Sequence, residues 1–145
     1  MTLNKTRILF LDDHEDTREM VALILKQSGY EVLTSATISA TLKLARRGNF
    51  NLFIFDSTLP DGSGLDLCAD VRRFDLQTPI LFYSGLAEDK YKTLALSSGA
   101  QAYLVKPVDV PELLQTVQKL IAQAKPTPQL TNNAITRKRS AAAAG

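Results

Sequence analysis

The amino-acid sequence predicts an α/β fold in which a parallel sheet carries helices on both faces. The main observation is that short apolar runs alternate five times with longer segments of helical periodicity. Strict alternation of strand and helix favours parallel strands joined by right-handed crossovers, and therefore a doubly wound five-stranded sheet. The second observation is size and composition. The 145 residues, 45% hydrophobic and 22% charged, suit one globular domain rather than two.

The first half of the chain contains three predicted strands and two predicted helices. The first strand, residues 8–11, is an apolar run that leads directly into an acidic cluster. A helix follows, and Gly29 marks its end because glycine readily adopts the left-handed backbone that a helix C-terminus favours. The second strand, the second helix and the third strand are predicted at residues 31–35, 38–47 and 52–55.

The third helix is preceded by a turn-rich segment. Residues 59–64 have the sequence Leu-Pro-Asp-Gly-Ser-Gly, which predicts a loop between the third strand and this helix. Ser63 is the expected N-cap, and Asp66 stands three residues after it. The fourth strand is then predicted at residues 79–83.

The last three elements differ in the strength of their patterns. The fourth helix, residues 88–98, has only a thin apolar stripe among polar residues. The fifth strand is predicted at residues 103–105. The last helix has the clearest start, because Asp109 and Glu112 form a capping box ahead of a strongly amphipathic segment.

The chain divides into a domain of residues 1–125 and a tail of residues 126–145. The tail lacks apolar periodicity, so we expect it to be disordered and partly a remnant of cloning. It contains three basic residues and no acidic one, which leaves 14 basic and 15 acidic residues in the domain. The net charge of +2 therefore comes from the tail, and three loose basic residues do not predict direct binding of nucleic acid.

Composition also excludes several classes of protein. No apolar run reaches the roughly 18 residues of a membrane helix, and residues 1–6 lack the layout of a signal peptide. We therefore expect a cytoplasmic protein that does not contact a membrane. Cys68 is the only cysteine, which excludes an internal disulfide and a zinc site built on several thiolates.

Polar side chains follow four of the five predicted strands. Asp12 and Asp13 follow the first strand, Asp56 the third, Ser84 the fourth and Lys106 the fifth. Each of them alone is more often a helix cap or a solvated strand end. Ligands of open parallel sheets bind beyond the carboxyl ends of the strands, so we expect these five side chains to converge at one edge.

Three neighbouring carboxylates predict a divalent cation. They repel one another and raise one another's pKa unless a cation lies between them. Oxygen ligands without histidine or cysteine favour Mg²⁺ or Mn²⁺ over zinc, and Mg²⁺ commonly binds phosphate oxygens as well. A carboxylate can attack phosphorus directly, while a lysine and a hydroxyl contact the phosphoryl oxygens. The strand-end residues thus predict phosphoryl chemistry.

Four sequence blocks resemble one known family. They are Asp12-Asp13, the segment Asp-Ser-Thr-Leu-Pro-Asp-Gly-Ser-Gly at residues 56–64, Ser84-Gly85, and the segment Gly-Ala-Gln-Ala-Tyr-Leu-Val-Lys-Pro at residues 99–107. Their order and spacing are similar to the receiver domain of two-component response regulators, from Thr6 to about Lys125. The resemblance implies a flavodoxin-like strand order of 2-1-3-4-5.

The resemblance also implies roles for the acidic residues. Asp56 would be the phosphoacceptor. Asp13 and Asp56 would bind Mg²⁺ directly, Asp12 would bind it through water, and Thr58 would contribute its backbone carbonyl. Lys106 would pair with the phosphoryl group.

Three further roles concern the switch that follows phosphorylation. Ser84 would be the hydroxyl that moves toward the phosphoryl group, and Tyr103 the aromatic side chain that follows this movement. The bond between Lys106 and Pro107 would be cis, a form that bonds before proline tolerate far better than others.

The leading hypothesis is a signalling switch and not an enzyme. Its phosphodonor would be a histidine kinase or a histidine phosphotransfer protein. An output partner or a second copy would bind the surface of the fourth helix, the fifth strand and the fifth helix. The chain is either a stand-alone receiver or a piece of a longer regulator or hybrid kinase.

Three alternatives are less well supported. A phosphatase with an aspartyl nucleophile would have a second Asp where Thr58 stands. A flavin-binding module would need a glycine- and hydroxyl-rich loop after the first strand, where the chain is acidic. A receiver-like adaptor that no longer switches would have no need of Asp56 and Lys106.

Overall fold

The computed structural model describes residues 5–124, which form seven strands and five helices. In chain order the elements are β1 (Arg7–Leu11), α1 (Glu15–Gln27), β2 (Glu31–Ser35), α2 (Ile38–Arg47), β3 (Leu52–Phe55), β4 (Thr58–Leu59), β5 (Gly62–Ser63), α3 (Gly64–Arg72), β6 (Ile80–Ser84), α4 (Asp89–Ser97), β7 (Ala102–Val105) and α5 (Val110–Ala124).

Five of these strands form one parallel sheet with the order β2-β1-β3-β6-β7. Because β4 and β5 form a separate hairpin, β6 and β7 are the fourth and fifth strands that the sequence predicted. The predicted flavodoxin-like order 2-1-3-4-5 is therefore confirmed.

The sheet separates two apolar clusters because successive strand residues point to opposite faces. On one face, Leu9, Phe53, Phe55 and Phe82 pack against α2, α3 and α4. On the other face, α1 and α5 cover a second set of strand residues, which includes Ile8, Phe10, Leu52, Ile54 and Leu81. All of these side chains are almost completely buried, as strands with helices on both faces require.

The predicted helix boundaries agree with the structure to within one or two residues. The first helix ends at Gln27, and Gly29 has the predicted positive φ of 99°. The Ser63 hydroxyl accepts a hydrogen bond from Leu65 N and caps α3. The Asp109 carboxylate accepts one from Glu112 N, as expected at the start of α5.

The segment between β3 and α3 differs from the prediction of a plain loop. Thr58 pairs with Ser63 and Leu59 pairs with Gly62 in an antiparallel hairpin. Each strand has only two residues, which is too short for any periodicity to show in the sequence. The hairpin turns sharply at Gly62, where φ is 150°.

The two ends of the described chain lie at the amino edge of the sheet, where its strands begin. Thr6 precedes β1 and Ala124 ends α5, and both border one cavity of about 210 Å³. Phe50, Asn51 and Thr78, which come before β3 and β6, border it too.

Two further predictions concern membranes and the tail. Within residues 5–124, no helix has both the length and the apolar character that a bilayer crossing needs. The predicted disordered tail, residues 126–145, lies outside the described residues.

Candidate functional site

The carboxyl edge of the sheet brings acidic and basic side chains together. Asp12 directly follows β1, Asp56 follows β3 and Lys106 follows β7. Backbone hydrogen bonds continue the ladder past the strand ends, from Asp12 N to Ser35 O at 3.1 Å and from Lys106 N to Ser84 O at 2.8 Å. The sheet itself therefore fixes the backbone positions from which these side chains extend.

The Lys106 ammonium joins two carboxylates. Its Nζ lies 2.6 Å from Oδ2 of Asp12 and 3.0 Å from Oδ2 of Asp56. The Asp12 side chain is completely buried, and that of Asp56 is 11% exposed. Buried carboxylates are costly unless they are paired, so this single cation stabilises both of them.

Asp13 completes an acidic pocket. One oxygen each of Asp12, Asp13 and Asp56 can be chosen so that all three lie within 4.8 Å of one another. Asp13 is exposed, so the pocket opens to solvent on its side. Three carboxylates against one ammonium leave a net negative charge, and oxygen ligands of this kind suit Mg²⁺. The donor set therefore fits the metal that the sequence predicted.

Burial and charge shift the pKa values of the central pair. Burial is the largest effect on Asp56 and raises its pKa, and the Asp12 charge adds to the rise while Lys106 opposes it. Burial alone would lower the pKa of Lys106, but its hydrogen bonds to Asp12 and Asp56 outweigh burial and raise it. Lys106 is thus a permanent cation at neutral pH.

Backbone groups hold the two buried carboxylates in place. Asp12 Oδ1 accepts a hydrogen bond from His14 N at 2.9 Å, and Asp56 Oδ1 accepts one from Ser57 N at 2.7 Å. The chain after Asp56 turns back closely, because Gly64 N donates to Ser57 O at 2.8 Å. A Cβ on Gly64 would lie 1.9 Å from the carbonyl oxygen of Asp56, so only glycine fits there.

Ser84 and Tyr103 both form a hydrogen bond with the backbone of Leu86. The Ser84 hydroxyl oxygen accepts a hydrogen bond from Leu86 N at 3.1 Å. The Tyr103 hydroxyl donates to Leu86 O at 2.7 Å, and its ring stacks on Phe82 with centroids 6.0 Å apart. The backbone of Leu86 therefore links the two predicted switch residues. The Tyr103 side chain is buried.

Comparison with known proteins decides the family. The family model described as "Response regulator receiver domain" matches residues 8–118, which include every residue of the acidic pocket and Lys106. The chain belongs to this family. Its receiver domain is a phosphorylatable switch of two-component signalling, as the sequence predicted.

Curated relatives of this receiver domain are response regulators from several bacteria. The cell cycle transcriptional regulator CtrA of Caulobacter vibrioides is 29% identical over 119 residues, 82% of this chain and 52% of that protein. The alkaline phosphatase synthesis transcriptional regulatory protein PhoP of Bacillus subtilis is 31% identical over 134 residues, 90% of this chain and 55% of that protein. The chain thus spans about half the length of these relatives.

Solved structures show the same receiver fold. A CheY-like receiver domain protein from Methanospirillum hungatei JF-1 has a TM-score of 0.80 and 30% identity, covering 83% of this chain and 97% of that one. The chemotaxis response regulator CheY4 of Vibrio cholerae has a TM-score of 0.72 and 30% identity, covering 81% and 99%.

The remaining predicted residues of the receiver lie beside the pocket. Thr58 is exposed and begins β4, two residues after Asp56. The peptide bond between Lys106 and Pro107 is cis. The structure therefore brings Asp12, Asp13, Asp56 and Lys106 into direct proximity, and it connects Ser84 with Tyr103 through Leu86.

The contacts of two residues at the receiver's site were not predicted from the sequence. Arg18 Nη1 donates to the backbone carbonyl of Asp12 at 2.8 Å, so the first turns of α1 hold the acidic loop. Its position one turn after His14 was the available signal. Leu86 joins Ser84 to Tyr103 through its backbone N–H and C=O, which any residue except proline would provide, so the sequence contains no signal for this bridging contact.

Proposed function

We propose that this receiver accepts a phosphoryl group on Asp56 from a histidine kinase or a histidine phosphotransfer protein, with Mg²⁺ bound by the acidic pocket. The observation that supports the proposal most is the position of Lys106, within 2.6 Å of Asp12 and 3.0 Å of Asp56. Asp12, Asp13 and Asp56 would hold the metal, with the backbone carbonyl of Thr58 as a further ligand.

The reaction needs no general base. An ionised Asp56 oxygen forms the new bond to phosphorus while the bond between phosphorus and the donor imidazole nitrogen breaks, and the electron pair leaves with the imidazole. Bound Mg²⁺ would neutralise charge on the phosphoryl oxygens. Lys106 can move its hydrogen bond from Asp56 to a phosphoryl oxygen while it keeps Asp12 as a partner. Ser84 supplies the hydroxyl donor.

The output of this receiver would come from a changed surface and not from turnover of a substrate. The surface formed by α4, β7 and α5 is the proposed site for an output partner or a second copy of the chain. Leu94, Leu96 and Val110 are exposed on these elements or just at their ends, at 48%, 42% and 43%. Such apolar side chains suit a protein interface.

Chemical phosphorylation tests the proposal. The full chain is mixed with acetyl phosphate with and without Mg²⁺ and analysed by mass spectrometry. We expect one added phosphoryl group only with Mg²⁺, and none in Asp56→Asn, because the acidic pocket repels an anion unless a cation compensates. Asp66→Asn, which removes an exposed carboxylate of α3, should be labelled like the wild type. Equal labelling of Asp56→Asn would refute the assignment of Asp56.

A further inference from the structure

The hairpin that follows Asp56 is attached to a helix far away in the sequence. Asp61 lies in the turn between β4 and β5, and its carboxylate accepts hydrogen bonds from Ile38 N at 2.9 Å and from Ser39 N at 3.2 Å. Both donors belong to the first turn of α2, more than twenty residues earlier in the chain. These two bonds lower the pKa of Asp61, so it is charged at neutral pH.

The start of α2 depends on this contact. The first N–H groups of a helix have no partner within the helix. Thr37 satisfies Ala40 N with its hydroxyl and Thr41 N with its carbonyl, and Asp61 satisfies the two donors that precede them. The first turn of α2 contains no acidic residue, so Asp61 also supplies the negative charge that a helix N-terminus favours.

The hairpin and the helix are also packed together. A Cβ on Gly62 would lie only 3.0 Å from Cδ1 of Ile38, so the turn packs closely against the helix. Leu59 on the preceding strand is 6% exposed and belongs to the same apolar cluster as Ile38 and Leu42. The hairpin therefore has a fixed place against α2.

The same end of α2 is connected to the loop that carries Asp12. The Thr41 hydroxyl lies 2.7 Å from the Ser35 hydroxyl, and both side chains are buried. The carbonyl of Ser35 accepts the hydrogen bond from Asp12 N. One helix end thus touches both acidic segments, through Ser35 next to Asp12 and through Asp61 five residues after Asp56.

We propose that Asp61 is a positioning residue of the Mg²⁺ pocket, which it serves by fixing the hairpin after Asp56 to the N-terminus of α2. This inference rests on the proposed function, since it concerns the same pocket. Asp61 itself binds no metal. Its loss frees the turn between β4 and β5, and with it the backbone of Thr58 and the chain leading from Asp56.

A Mg²⁺ titration of the full chain followed by ¹H–¹⁵N NMR tests the proposal without relying on activity. We expect Asp61→Ala to weaken Mg²⁺ binding about tenfold, similar to the loss of other groups that orient metal ligands. Asp61→Asn keeps one carbonyl oxygen for Ile38 N and should weaken it by roughly threefold. Amide exchange at Ile38 and Ser39 should accelerate in both variants.

Asp75→Ala is the matched control. The Asp75 carboxylate also accepts two backbone N–H bonds, from Gln77 and Thr78, but it precedes β6 at the opposite edge of the sheet. The Asp75→Ala substitution should reduce the stability of the protein without changing its Mg²⁺ affinity. Equal weakening in Asp75→Ala, or unchanged affinity in Asp61→Ala, overturns the proposal. If Asp61→Ala does not fold, Asp61→Asn decides it by the same comparison.

The test separates this inference from the proposed function. With saturating Mg²⁺, the variants of Asp61 should still be phosphorylated on Asp56 by acetyl phosphate, because the reacting groups are intact. A wild type that binds Mg²⁺ but is never phosphorylated refutes the proposed function. Unchanged Mg²⁺ affinity in a phosphorylated Asp61→Ala refutes only the role of Asp61.

Discussion

Asp56 combines two demands that conflict. In the proposed reaction Asp56 must be ionised to attack phosphorus, yet burial and the neighbouring Asp12 charge raise its pKa. Lys106 offsets part of this cost at 3.0 Å but is shared with Asp12. The ionised Asp56 carboxylate is therefore less stable in the folded protein than it would be in water. Perturbed pKa values of this kind are common at functional sites.

We therefore predict that Asp56→Asn stabilises the metal-free protein at neutral pH. A carboxyl group whose folded pKa is raised contributes stability below its ordinary pKa, about 3.9, and loses it as the pH rises through the raised value. Asparagine cannot ionise and avoids this loss, so the free energy of unfolding should rise by roughly 0.5 to 2 kcal/mol at pH 7. The gain should shrink toward pH 4.

Urea denaturation in the presence of EDTA, at pH 7 and at pH 4, measures this difference. Asp66→Asn serves as the control because its carboxylate is exposed. If Asp56→Asn were less stable than the wild type at pH 7, the attraction of Lys106 would outweigh burial, and the balance described here would be wrong.

The proximity of the central residues could be predicted because they are acidic or basic side chains directly after strands. Asp12, Asp13, Asp56 and Lys106 follow strands that share one edge of the sheet, and that rule needs no side-chain detail. The link that Leu86 forms between Ser84 and Tyr103 could not be predicted, since both hydrogen bonds involve its backbone. Asp61 was assigned to a turn, because the helix that it caps lies more than twenty residues away in the sequence.

At the scale of elements, α4 is the helix least firmly fixed to the body of the domain. Its N-cap, Glu88, makes no side-chain hydrogen bond to the helix, and only Ala95 of its residues is buried. This agrees with the thin apolar stripe seen in the sequence. Segments with few buried contacts are those that move at low energetic cost.

We predict that binding of beryllofluoride with Mg²⁺ changes amide exchange most strongly, outside the pocket, between Ser84 and Val110. An anion on Asp56 attracts the Ser84 hydroxyl through a charge-assisted hydrogen bond. This movement takes the acceptor away from Leu86 N, so the Leu86 amide should exchange faster. Because the Tyr103 hydroxyl is bonded to Leu86 O, the change should extend to β7 and α4.

Hydrogen-exchange mass spectrometry or NMR checks this prediction, with Ser84→Ala as the comparison. A main change within α2 instead, or a full response in Ser84→Ala, would contradict the switch. Neither result bears on the assignment of Asp56, which the acetyl phosphate assay tests separately.

The hairpin of β4 and β5 shows the limit of prediction for elements. The sequence predicted a turn there, and Gly62 has the positive φ that such a turn favours. The antiparallel pairing of β4 with β5, however, accompanies a tertiary contact between this turn and α2. A local sequence pattern does not reveal such a contact. The start of α5, a helix with strong periodicity, was predicted to within one residue, because Asp109 was the expected cap and the helix begins at Val110.

At the scale of the whole molecule, residues 5–124 contain the five-stranded sheet, the helices that cover it and both apolar clusters. Among the described residues, the last that packs on either apolar cluster is Ile121, and α5 ends three residues later. We therefore predict that deletion of residues 126–145 leaves both the thermal midpoint and phosphorylation of Asp56 unchanged.

Differential scanning calorimetry and the acetyl phosphate assay test this deletion. A fall of the midpoint by several degrees would show that the deleted residues contribute to the stability of the domain. The boundary at Lys125 would then be wrong.

The shared cavity at the amino edge determines how this domain can be built into larger proteins. Thr6 and Ala124 border it together, so the described part of the chain begins and ends at neighbouring points, with the acidic pocket at the opposite edge. A short peptide could join these two points, and the ring could be reopened in a surface loop such as the one between α1 and β2. The domain is thereby suited to insertion into a loop of a host protein as well as to fusion at one end.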